Sequence, residues 1–580
     1  MFRSGIKIRR SGKKAKGAVA QLRIKKRASR NLKETGNCSL LLYNVTTMKH
    51  QQQEEYIAIQ QGCQQLRLAI CGEKEVHVEK NEFFRQVSAQ LGKLDYRKLY
   101  SAYSGTIRKS QVEPRILFEI IVCAYMKGVY SSRKIEELCR ENMQFILLLD
   151  GHKPPDHCTI ARFRSGEDTA PAIEDLFYQY AMILEREGLT NHSEVFIDGT
   201  KIESKANRYT FVWRKCVERQ LAKIKAAAKG MLGLEEGYVT KRKLEDRVQE
   251  LNQVVEEKGL HAEKGRGHHK PPELRLRDKA QELLARWDSY EKKRQILGTG
   301  RNSYSKTDPD ATFMHMKDDH MRNGQLKPGY NVQFAVNSEF ITGIGIYADR
   351  TDYDTLPPLL DTLEEKHGTK YQRVVTDAGY ESLKNYRYLS GHGMAAYIKP
   401  GNYESSRTKK YKAQIGRAEN MAYDQPGDYY VCRNERLLVN VGSYTEYSKD
   451  GTEKEVTRYR CQDCHECPHR AQCCKAKDPE KQKELVICRE FVNYRQASLE
   501  RITTDEGKLL RVNRSIQAEG AFGQLKHNRG FMRFLTGGNL KVSSEMFFLA
   551  LSQNILKYIS KCNTQKLDLH LLKPVSLLKF

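Results

Sequence analysis

Two short stretches of the sequence each bring an aspartate directly after a run of apolar residues. Residues 195–197 are Val-Phe-Ile and lead into Asp198 and Gly199, and residues 374–375 are Val-Val and lead through a threonine into Asp377. Such runs predict buried strands that carry a carboxylate at their C-terminal tips. One such aspartate is usually a cap or a turn residue. Two with the same pattern suggest neighbouring strands whose tips meet, and hence a metal site built from carboxylates.

A third carboxylate is available on a helix predicted over residues 505–530. Glu519, Gly523 and Lys526 are spaced at i, i+4 and i+7, so they share one face of that helix. Gly520 and Gly523 are poor helix formers. Their presence beside Glu519 predicts the close approach of another backbone or of a substrate.

A cysteine-rich stretch follows a different chemistry. Cys461, Cys464, Cys467 and Cys473 are spaced by two, two and five residues, with Cys474 adjacent. This spacing suits tetrahedral Zn²⁺ bound by thiolates in a reducing cytosol. Reduced cysteines without a metal and an iron–sulfur cluster are the alternatives. Other residues could replace one of the four ligands: Cys432, Cys488, His465 and His469.

The composition favours a polyanionic partner. The chain has 580 residues and a formal net charge of +27, from 99 Lys and Arg against 72 Asp and Glu. A surplus of this size favours nucleic acid, although a merely solvated basic surface is the alternative. The sequence has no apolar run long enough to span a membrane, which excludes an integral membrane class.

The elements that must position the carboxylates alternate in a recognisable order. Residues 330–336 and 340–348 form a predicted hairpin, the strand before Asp377 follows, and residues 395–398 form a further strand. Helices are predicted between and after these strands. Strand, strand, strand, helix, strand, helix, strand predicts an α/β fold with a mixed sheet flanked by helices, as in ribonuclease-H-like domains.

The remaining segments surround this core. Residues 1–47 carry 13 Lys or Arg against one acidic residue and are predicted to form a disordered basic arm. Residues 48–170 form a helical N-terminal domain, in which Asp156 or Thr159 caps a short helix whose exposed face holds Arg162 and Arg164. This pattern indicates either a helix-turn-helix DNA reader or an ordinary helical bundle.

The catalytic segments are expected at residues 190–213, 300–400 and 500–560. Two insertions interrupt them: a helical hairpin at 214–299, whose basic tip holds His268 and His269, and the cysteine-rich segment at 401–499. Residues 561–580 are a C-terminal tail.

Taken together, these motifs resemble those of bacterial insertion-sequence transposases of the DDE type with a helical N-terminal domain and a cysteine-cluster insertion. The resemblance covers about residues 90 to 560. It rests on residues 156–164, 198–201, 308–312, 330–333, 376–380, the cysteine run and residues 519–526.

The resemblance implies a catalytic triad of Asp198, Asp377 and Glu519, with Lys526 holding a backbone phosphate. Many relatives also have a Tyr and an Arg before the Glu. Here Arg514 lies one residue too early, and no Tyr occupies the expected place. The DNA-binding residues implied are Arg162, Arg164, Arg514, Lys526 and Arg529.

The chemistry expected from this resemblance is phosphoryl transfer on DNA. Two Mg²⁺ (or Mn²⁺) ions bound by the triad would assist hydrolysis at the element's ends and then attack of the 3′-hydroxyl on target DNA. Terminal inverted repeats and target DNA are the expected partners, a homodimer the expected synaptic form, and the bacterial cytoplasm and nucleoid the expected location. A nuclease that only hydrolyses DNA and an inactive DNA-binding derivative remain as alternatives.

Overall fold

The computed structural model describes residues 80–104, 112–233, 238–261, 270–316, 324–448, 451–476, 478, 480–567 and 569–572, and the backbone of two strands before them. The chain divides into two units between Lys80 and Asn81. In the first unit, β1 (Leu66–Ile70) pairs antiparallel with β2 (Lys74–Val78). The basic arm predicted at residues 1–47 lies outside the described residues.

The second unit begins with seven helices, which confirms the helical character predicted for this part of the chain. Pro114 occupies the first turn of the third helix, where its missing N–H costs nothing. Every residue of that helix from Ile116 to Met126 is buried. The helices are α1 (Glu82–Leu91), α2 (Arg97–Ser104), α3 (Pro114–Met126), α4 (Ser132–Glu141), α5 (Met143–Leu148), α6 (His157–Arg164) and α7 (Ala170–Arg186).

The central sheet has the strand order β10-β9-β3-β7-β6, and β8 pairs with the later part of β7. Strand β7 is antiparallel to β3, whereas β9 is parallel to β3 and β10 is parallel to β9. This mixed sheet is ribonuclease-H-like, as the order of elements predicts. The strands are β3 (Glu194–Glu203), β6 (Thr312–His315), β7 (Leu326–Asn337), β8 (Phe340–Tyr347), β9 (Arg373–Thr376) and β10 (Ala395–Ile398).

Helices cover both faces of the sheet, because alternate residues of β3 are apolar on both sides. Val195 and Ile197 pack with leucines of α11 (Leu356–His367) and with Tyr386 of α12 (Leu383–Gly391). Phe196 lies in the larger core on the opposite face. There, Phe334 of β7 stacks on Phe522 with ring centroids 4.3 Å apart.

The first insertion is helical, as predicted, and its described residues form three helices. Helices α8 (Arg214–Met231) and α9 (Lys241–Glu257) both pack against α10 (Pro272–Leu297). The insertion leaves and rejoins the core through β4 (Phe211–Trp213), which pairs with β5 (Ser303–Ser305). His268 and His269 lie outside the described residues.

The second insertion is an antiparallel sheet of five strands in sequential order. Two short helical turns, α13 (Tyr403–Ser406) and α14 (Lys409–Lys412), precede it, and a third, α15 (Arg470–Cys473), lies within the cysteine run. The strands are β11 (Ala422–Asp424), β12 (Tyr429–Val431), β13 (Leu437–Tyr447), β14 (Glu453–Cys461) and β15 (Glu484–Ile487).

Three helices complete the unit. Helix α16 (Arg489–Thr503) packs on β10. Helix α17 begins as Asp505–Arg514 and continues through a π-helical turn (Ser515–Glu519), an α-helical turn (Gly520–Gly523) and a second π-helical turn (Gln524–Asn528). Helix α18 (Asn539–Asn563) is the last helix of the described chain.

The motif at residues 308–312 holds the start of α18 in place. Asp308 is buried and accepts hydrogen bonds from Gly538 N at 3.0 Å and from Tyr330 Oη at 2.8 Å. Asp310 accepts from Asn539 N at 2.8 Å. Two carboxylates therefore satisfy unpaired N–H groups at a helix N-terminus, where negative charge is favourable.

Candidate active site

Asp198 and Asp377 lie side by side on two parallel strands. In the register of β3 and β9, Phe196 is paired with Val375. Two residues further along each strand are Asp198 and Asp377. Asp377 directly follows the last residue of β9, and its side chain accepts a hydrogen bond from Gly379 N at 2.8 Å. The two aspartates therefore come from neighbouring parallel strands, and their shared role as metal ligands stays a prediction.

The position of Asp198 within its strand differs from the prediction. Strand β3 continues to Glu203, and Asp198 is paired with Phe334 of β7, so it lies inside the strand and not at its tip. The pairing with β9 ends at Phe196, whereas that with β7 extends to the end of β3. Asp198 thus lies where one neighbouring strand ends and the other continues.

Arg514 connects Asp198 to Glu519. Its Nη1 lies 3.6 Å from Asp198 Oδ1, and its Nη2 lies 2.6 Å from Glu519 Oε1. The guanidinium and the Asp198 carboxylate are nearly buried, whereas the side chain of Glu519 is 51% exposed. One cation therefore bridges two of the three candidate carboxylates, and solvent reaches them from the Glu519 side.

The π-helical turns of α17 set the direction of Glu519. A π-helical turn inserts an extra residue into the helical repeat and is frequent at functional sites. Glu519 closes the first such turn and receives a hydrogen bond from Ser515 Oγ at 3.3 Å. Lys526 belongs to the second, is buried, and donates from Nζ to Lys201 O at 3.0 Å. Lys526 is thereby anchored to β3, three residues beyond Asp198.

The glycines of α17 face open space. A Cβ placed on Gly520 or Gly523 would meet no atom within 4 Å. The expectation that another part of the backbone approaches them is therefore wrong for the described residues. The approach of a substrate stays a prediction, and the open surface beside Glu519 is compatible with it.

Gly199 is required because the side chain of Gln333 occupies the space that a Cβ would fill. A Cβ at Gly199 would lie 2.2 Å from Gln333 Nε2 and 2.9 Å from Asp352 Oδ1, closer than real contacts. Gln333 is fully buried and donates to Asp352 Oδ1 at 2.8 Å and to Asn331 Oδ1 at 3.0 Å. Its own carbonyl accepts a hydrogen bond from Tyr380 Oη.

Asp352 is a fourth carboxylate near the triad, in the loop before α11. Helix α11 has Thr355 at its N-cap position, without a side-chain capping bond. The Asp352 side chain accepts from Asn331 Nδ2 at 2.7 Å as well as from Gln333. A Cβ at Gly379 would lie 3.2 Å from Asp352 Oδ2 and 3.0 Å from Asp377 Oδ1, so the two carboxylates flank this glycine.

The carboxylates around the triad act on the pKa of the nearby Tyr380 hydroxyl. Burial raises the pKa of the Tyr380 hydroxyl well above its usual range, and neighbouring charges raise it further. These charges come from Asp352, Asp198 and Asp377, with Arg514 acting in the opposite direction. Tyr380 therefore remains a hydrogen-bond donor to Gln333. The paired amides Asn331 and Gln333 on β7 were the sequence signal that could have located Asp352.

Two family models match this chain. The model of a transposase DDE domain matches residues 431–559, which include Glu519 and α17. A transposase domain known as DUF772 matches residues 73–166, which include helices α1 to α6. Both matches are to transposase families, and they support the resemblance to DDE transposases that the sequence motifs predict. Neither the curated proteins nor the solved structures gave a significant match.

The two arginines predicted to bind DNA in the helical region have different environments. Arg162 is exposed at the end of α6. Arg164 is 5% exposed and donates from Nη1 to Tyr130 O at 2.7 Å and to Tyr125 Oη at 3.1 Å. The expectation that Arg164 shares an exposed face with Arg162 is therefore wrong. Arg164 is a core residue, and its positive charge interacts with the carboxylate of the buried Glu545.

Arg529, at the end of α17, is also partly enclosed. Burial lowers the pKa of its guanidinium, and its backbone carbonyl accepts a hydrogen bond from Tyr130 Oη at 3.0 Å. Its Nη1 is buried without a hydrogen-bond partner. Arg529 therefore joins α17 to the helical region, and a role toward DNA stays a prediction.

The cysteine-rich insertion gathers a slightly different set of thiols from the predicted one. Cys461 and Cys464 are buried, and Cys432 and Cys473 pack against them. Lys483 N donates to Cys464 Sγ at 3.3 Å. Cys432, one of the predicted replacement ligands, is part of this apolar cluster. Zinc binding here stays a prediction.

Possible metal ligands also lie close together at two places outside the triad and the cysteine-rich insertion. Among the described residues, two sets of three such groups have ligand atoms within 4.8 Å of one another. They are Asp156, His157 and Cys158, and Glu185, His192 and His367. Neither contains a triad residue or a cysteine of the insertion. Within the described ranges, no helix is long and apolar enough to cross a membrane.

Proposed function

We propose that this transposase binds the terminal inverted repeats of an insertion sequence, cleaves DNA at the element's ends and joins the resulting 3′-hydroxyl ends to target DNA. The observation that carries the proposal is the convergence of three carboxylates from three distant segments. Asp198 lies in β3 and Asp377 directly follows β9, which pairs with β3 in parallel, and Glu519 is linked to Asp198 through Arg514.

The donor set fits Mg²⁺. The three groups are carboxylates, and a hard cation prefers such oxygen ligands over thiols or imidazoles. A single guanidinium already bridges Asp198 and Glu519, so their separation suits a small cationic centre. When bound by Asp198, Asp377 and Glu519, Mg²⁺ would neutralise the scissile phosphate and stabilise the attacking and leaving oxygens.

Arg514 would then have a second task. Its guanidinium neutralises Asp198 and Glu519, and displacing it would release a cation next to the open surface of α17. A guanidinium there can pair with a DNA phosphate in a bidentate manner. Arg514 would therefore exchange a carboxylate for a phosphate when DNA binds.

The residues around the triad fix its geometry. Gln333 and Asn331 hold the Asp352 carboxylate behind β3 and beside Gly379. The negative charge of Asp352, which is not a member of the triad, would strengthen the attraction of the site for cations. Lys526 ties α17 to β3 through Lys201 O and would keep Glu519 close to Asp198. Lys526 would accordingly act on the position of Glu519 more than on a phosphate.

DNA would approach along the exposed side of α17. Glu519, Gly520 and Gly523 line this side, and the residues that follow, His527 and Asn528, are exposed. The absence of a Cβ at two positions allows a phosphate backbone to come close.

The test is a strand-transfer assay with a labelled DNA that ends in the element's own 3′-hydroxyl and a target plasmid. The wild type should join the end to the plasmid with Mg²⁺, and Glu519→Gln should bind the end without joining it. Glu500→Gln, an exposed glutamate on α16, is the matched control and should retain joining. Cleavage without joining would favour the nuclease. Binding without either reaction would favour the inactive DNA-binding derivative.

A further inference from the structure

A second cluster of possible metal ligands lies at the opposite end of the sheet from the triad. Glu185 is in the last turn of α7, His192 precedes β3, and His367 is the last residue of α11. Gln372 N donates to His192 O at 2.9 Å, so the cluster borders the residues just before β9. It therefore lies at the amino ends of β3 and β9, whereas Asp377 follows the carboxyl end of β9.

The tautomer of His367 is fixed by a backbone carbonyl. His367 Nε2 lies 3.0 Å from Thr342 O, and a carbonyl oxygen can only accept, so Nε2 carries the proton. In a neutral imidazole, Nδ1 then holds a free lone pair. This Nδ1 is buried without a hydrogen-bond partner in a side chain that is 2% exposed. Metal-ligating histidines have this arrangement, in which one nitrogen donates to a carbonyl and the other binds the ion.

The distances between the groups suit one tetrahedral ion. Glu185 Oε1 lies 3.3 Å from His192 Nδ1, and Glu185 Oε2 lies 3.6 Å from His367 Nδ1. Two ligands at ordinary zinc distances in a tetrahedron are roughly 3.4 Å apart. Among the described residues, His367 Nδ1 has no hydrogen-bond partner, so its contact with Glu185 is not a hydrogen bond. An ion between the three groups would satisfy the buried lone pair that the protein leaves unpaired.

The surroundings hold the imidazoles in place. The His192 ring packs on Tyr371 with centroids 5.0 Å apart, and the His367 ring packs edge-on against Tyr178 at 6.0 Å. Glu185 is the most exposed of the three ligands, with 35% of its side chain accessible. Solvent can therefore supply a fourth ligand from that side.

We propose that Glu185, His192 and His367 form a structural Zn²⁺ site that ties the helical region to the catalytic sheet. Two imidazoles and one carboxylate are a ligand set that zinc accepts. The ion would link α7 to α11 across the start of β3. Lys366 and Glu174, whose Nζ and Oε1 are 3.1 Å apart, already connect the same two helices by a surface ion pair. This ion pair provides a matched control.

The test uses the full-length protein, treated with a chelator and then titrated with Zn²⁺ while thermal unfolding and bound zinc are measured. Glu185→Gln and, independently, His192→Asn should each bind about one zinc fewer per chain than the wild type. Both should lose the zinc-dependent part of the rise in Tm. Glu174→Gln, which breaks only the ion pair, should bind as much zinc as the wild type.

A second arm separates this site from the cysteine cluster. In a Cys461→Ser, Cys464→Ser variant, Co²⁺ should still bind with an imidazole-type spectrum that lacks thiolate charge transfer, and Glu185→Gln added to that variant should remove that spectrum and about one Co²⁺ per chain. Equal zinc content and equal zinc-dependent Tm in the wild type, Glu185→Gln and His192→Asn would overturn the proposal. Loss of all Co²⁺ binding with the two cysteines would overturn it as well.

Discussion

Replacing Gly199 by alanine is expected to damage the catalytic sheet although it adds only one methyl group. The new Cβ would lie 2.2 Å from Gln333 Nε2 and 2.9 Å from both Gln333 Cδ and Asp352 Oδ1. Gln333 is fully buried in the middle of β7, so its amide cannot move into solvent. The clash must be relieved by breaking the hydrogen bonds of Gln333 or by separating β3 from β7.

The cost follows from the groups that lose their partners. Gln333 pairs with Asp352, Asn331 and Tyr380, and each buried group left unpaired costs about 1–3 kcal/mol. Partial relaxation allows some of these bonds to reform, so Gly199→Ala should lower the free energy of unfolding by about 2–5 kcal/mol. Urea unfolding followed by circular dichroism measures this change. DNA cleavage should fall in parallel, since Asp198 is the preceding residue.

Gly523→Ala is the matched control, because it adds the same methyl group where no atom lies within 4 Å. It should leave stability unchanged or raise it by up to about 1 kcal/mol, as expected for Gly to Ala in a helix. If DNA approaches α17 as proposed, Gly523→Ala should still weaken DNA binding. An unfolding free energy of Gly199→Ala equal to that of the wild type would refute the packing described for Gln333.

Three further predictions follow from other parts of the structure. Arg164→Ala should lower the free energy of unfolding by about 3–5 kcal/mol, because it leaves the buried Glu545 without its compensating charge. Arg162→Ala should leave the free energy of unfolding unchanged and weaken DNA binding in a salt-dependent manner. Equal free energies of unfolding for the two variants would contradict this prediction. Burial raises the pKa of Glu113 to about 7, so this carboxyl favours folding at low pH and that contribution is lost as the pH rises toward 7. The Tm of Glu113→Gln should therefore exceed that of the wild type at pH 8 and equal it at pH 5. A difference in Tm that is the same at both pH values would contradict the assignment. Asp308→Ala should lower stability by about 2–4 kcal/mol, measured by urea unfolding, because Gly538 N and Tyr330 Oη lose their buried acceptor; an unchanged unfolding midpoint would contradict it.

Much of the catalytic fold could be predicted because its signals are local. The alternation of apolar residues over 330–336 and the hydrophobic runs before Asp198 and Asp377 each predict a strand, and the order of elements then restricts the sheet. Ser338 and Glu339 both have positive φ, so the hairpin closes through a two-residue turn without any glycine signal. The hairpin was nevertheless visible from the strands on either side.

The details of the site depend on partners that are distant in sequence. The sequence predicted that the strand ends at Asp198, yet β3 continues through Gly199, where the Gln333 side chain occupies the space that a Cβ would fill. Arg514 lies one residue earlier than the arginine of related transposases, but the π-helical turn after it changes the helical repeat and brings it to Glu519. Neither effect can be read from a spacing measured in ideal helices or strands.

Whether a charged residue is exposed or buried could not be predicted from the sequence alone. Arg162 and Arg164 are two residues apart on a short helix, yet one is exposed and the other buried, because Tyr125, Tyr130 and Glu545 provide partners for Arg164 alone. The cysteine cluster shows the same limitation. Cys432 follows β12 directly and lies about 30 residues before Cys461, so the spacing within the run does not show that it packs there.

The most direct test of the central claim is cleavage of a labelled DNA that carries the element's own ends, in Mg²⁺ or Mn²⁺, by the wild type and by Asp377→Asn. Asp505→Asn changes the same charge at a fully exposed position at the start of α17 and serves as the control. The structure predicts that the wild type and Asp505→Asn cut, and that Asp377→Asn binds DNA without cutting. Equal cutting by Asp377→Asn would contradict the assignment of Asp198, Asp377 and Glu519 as the catalytic carboxylates.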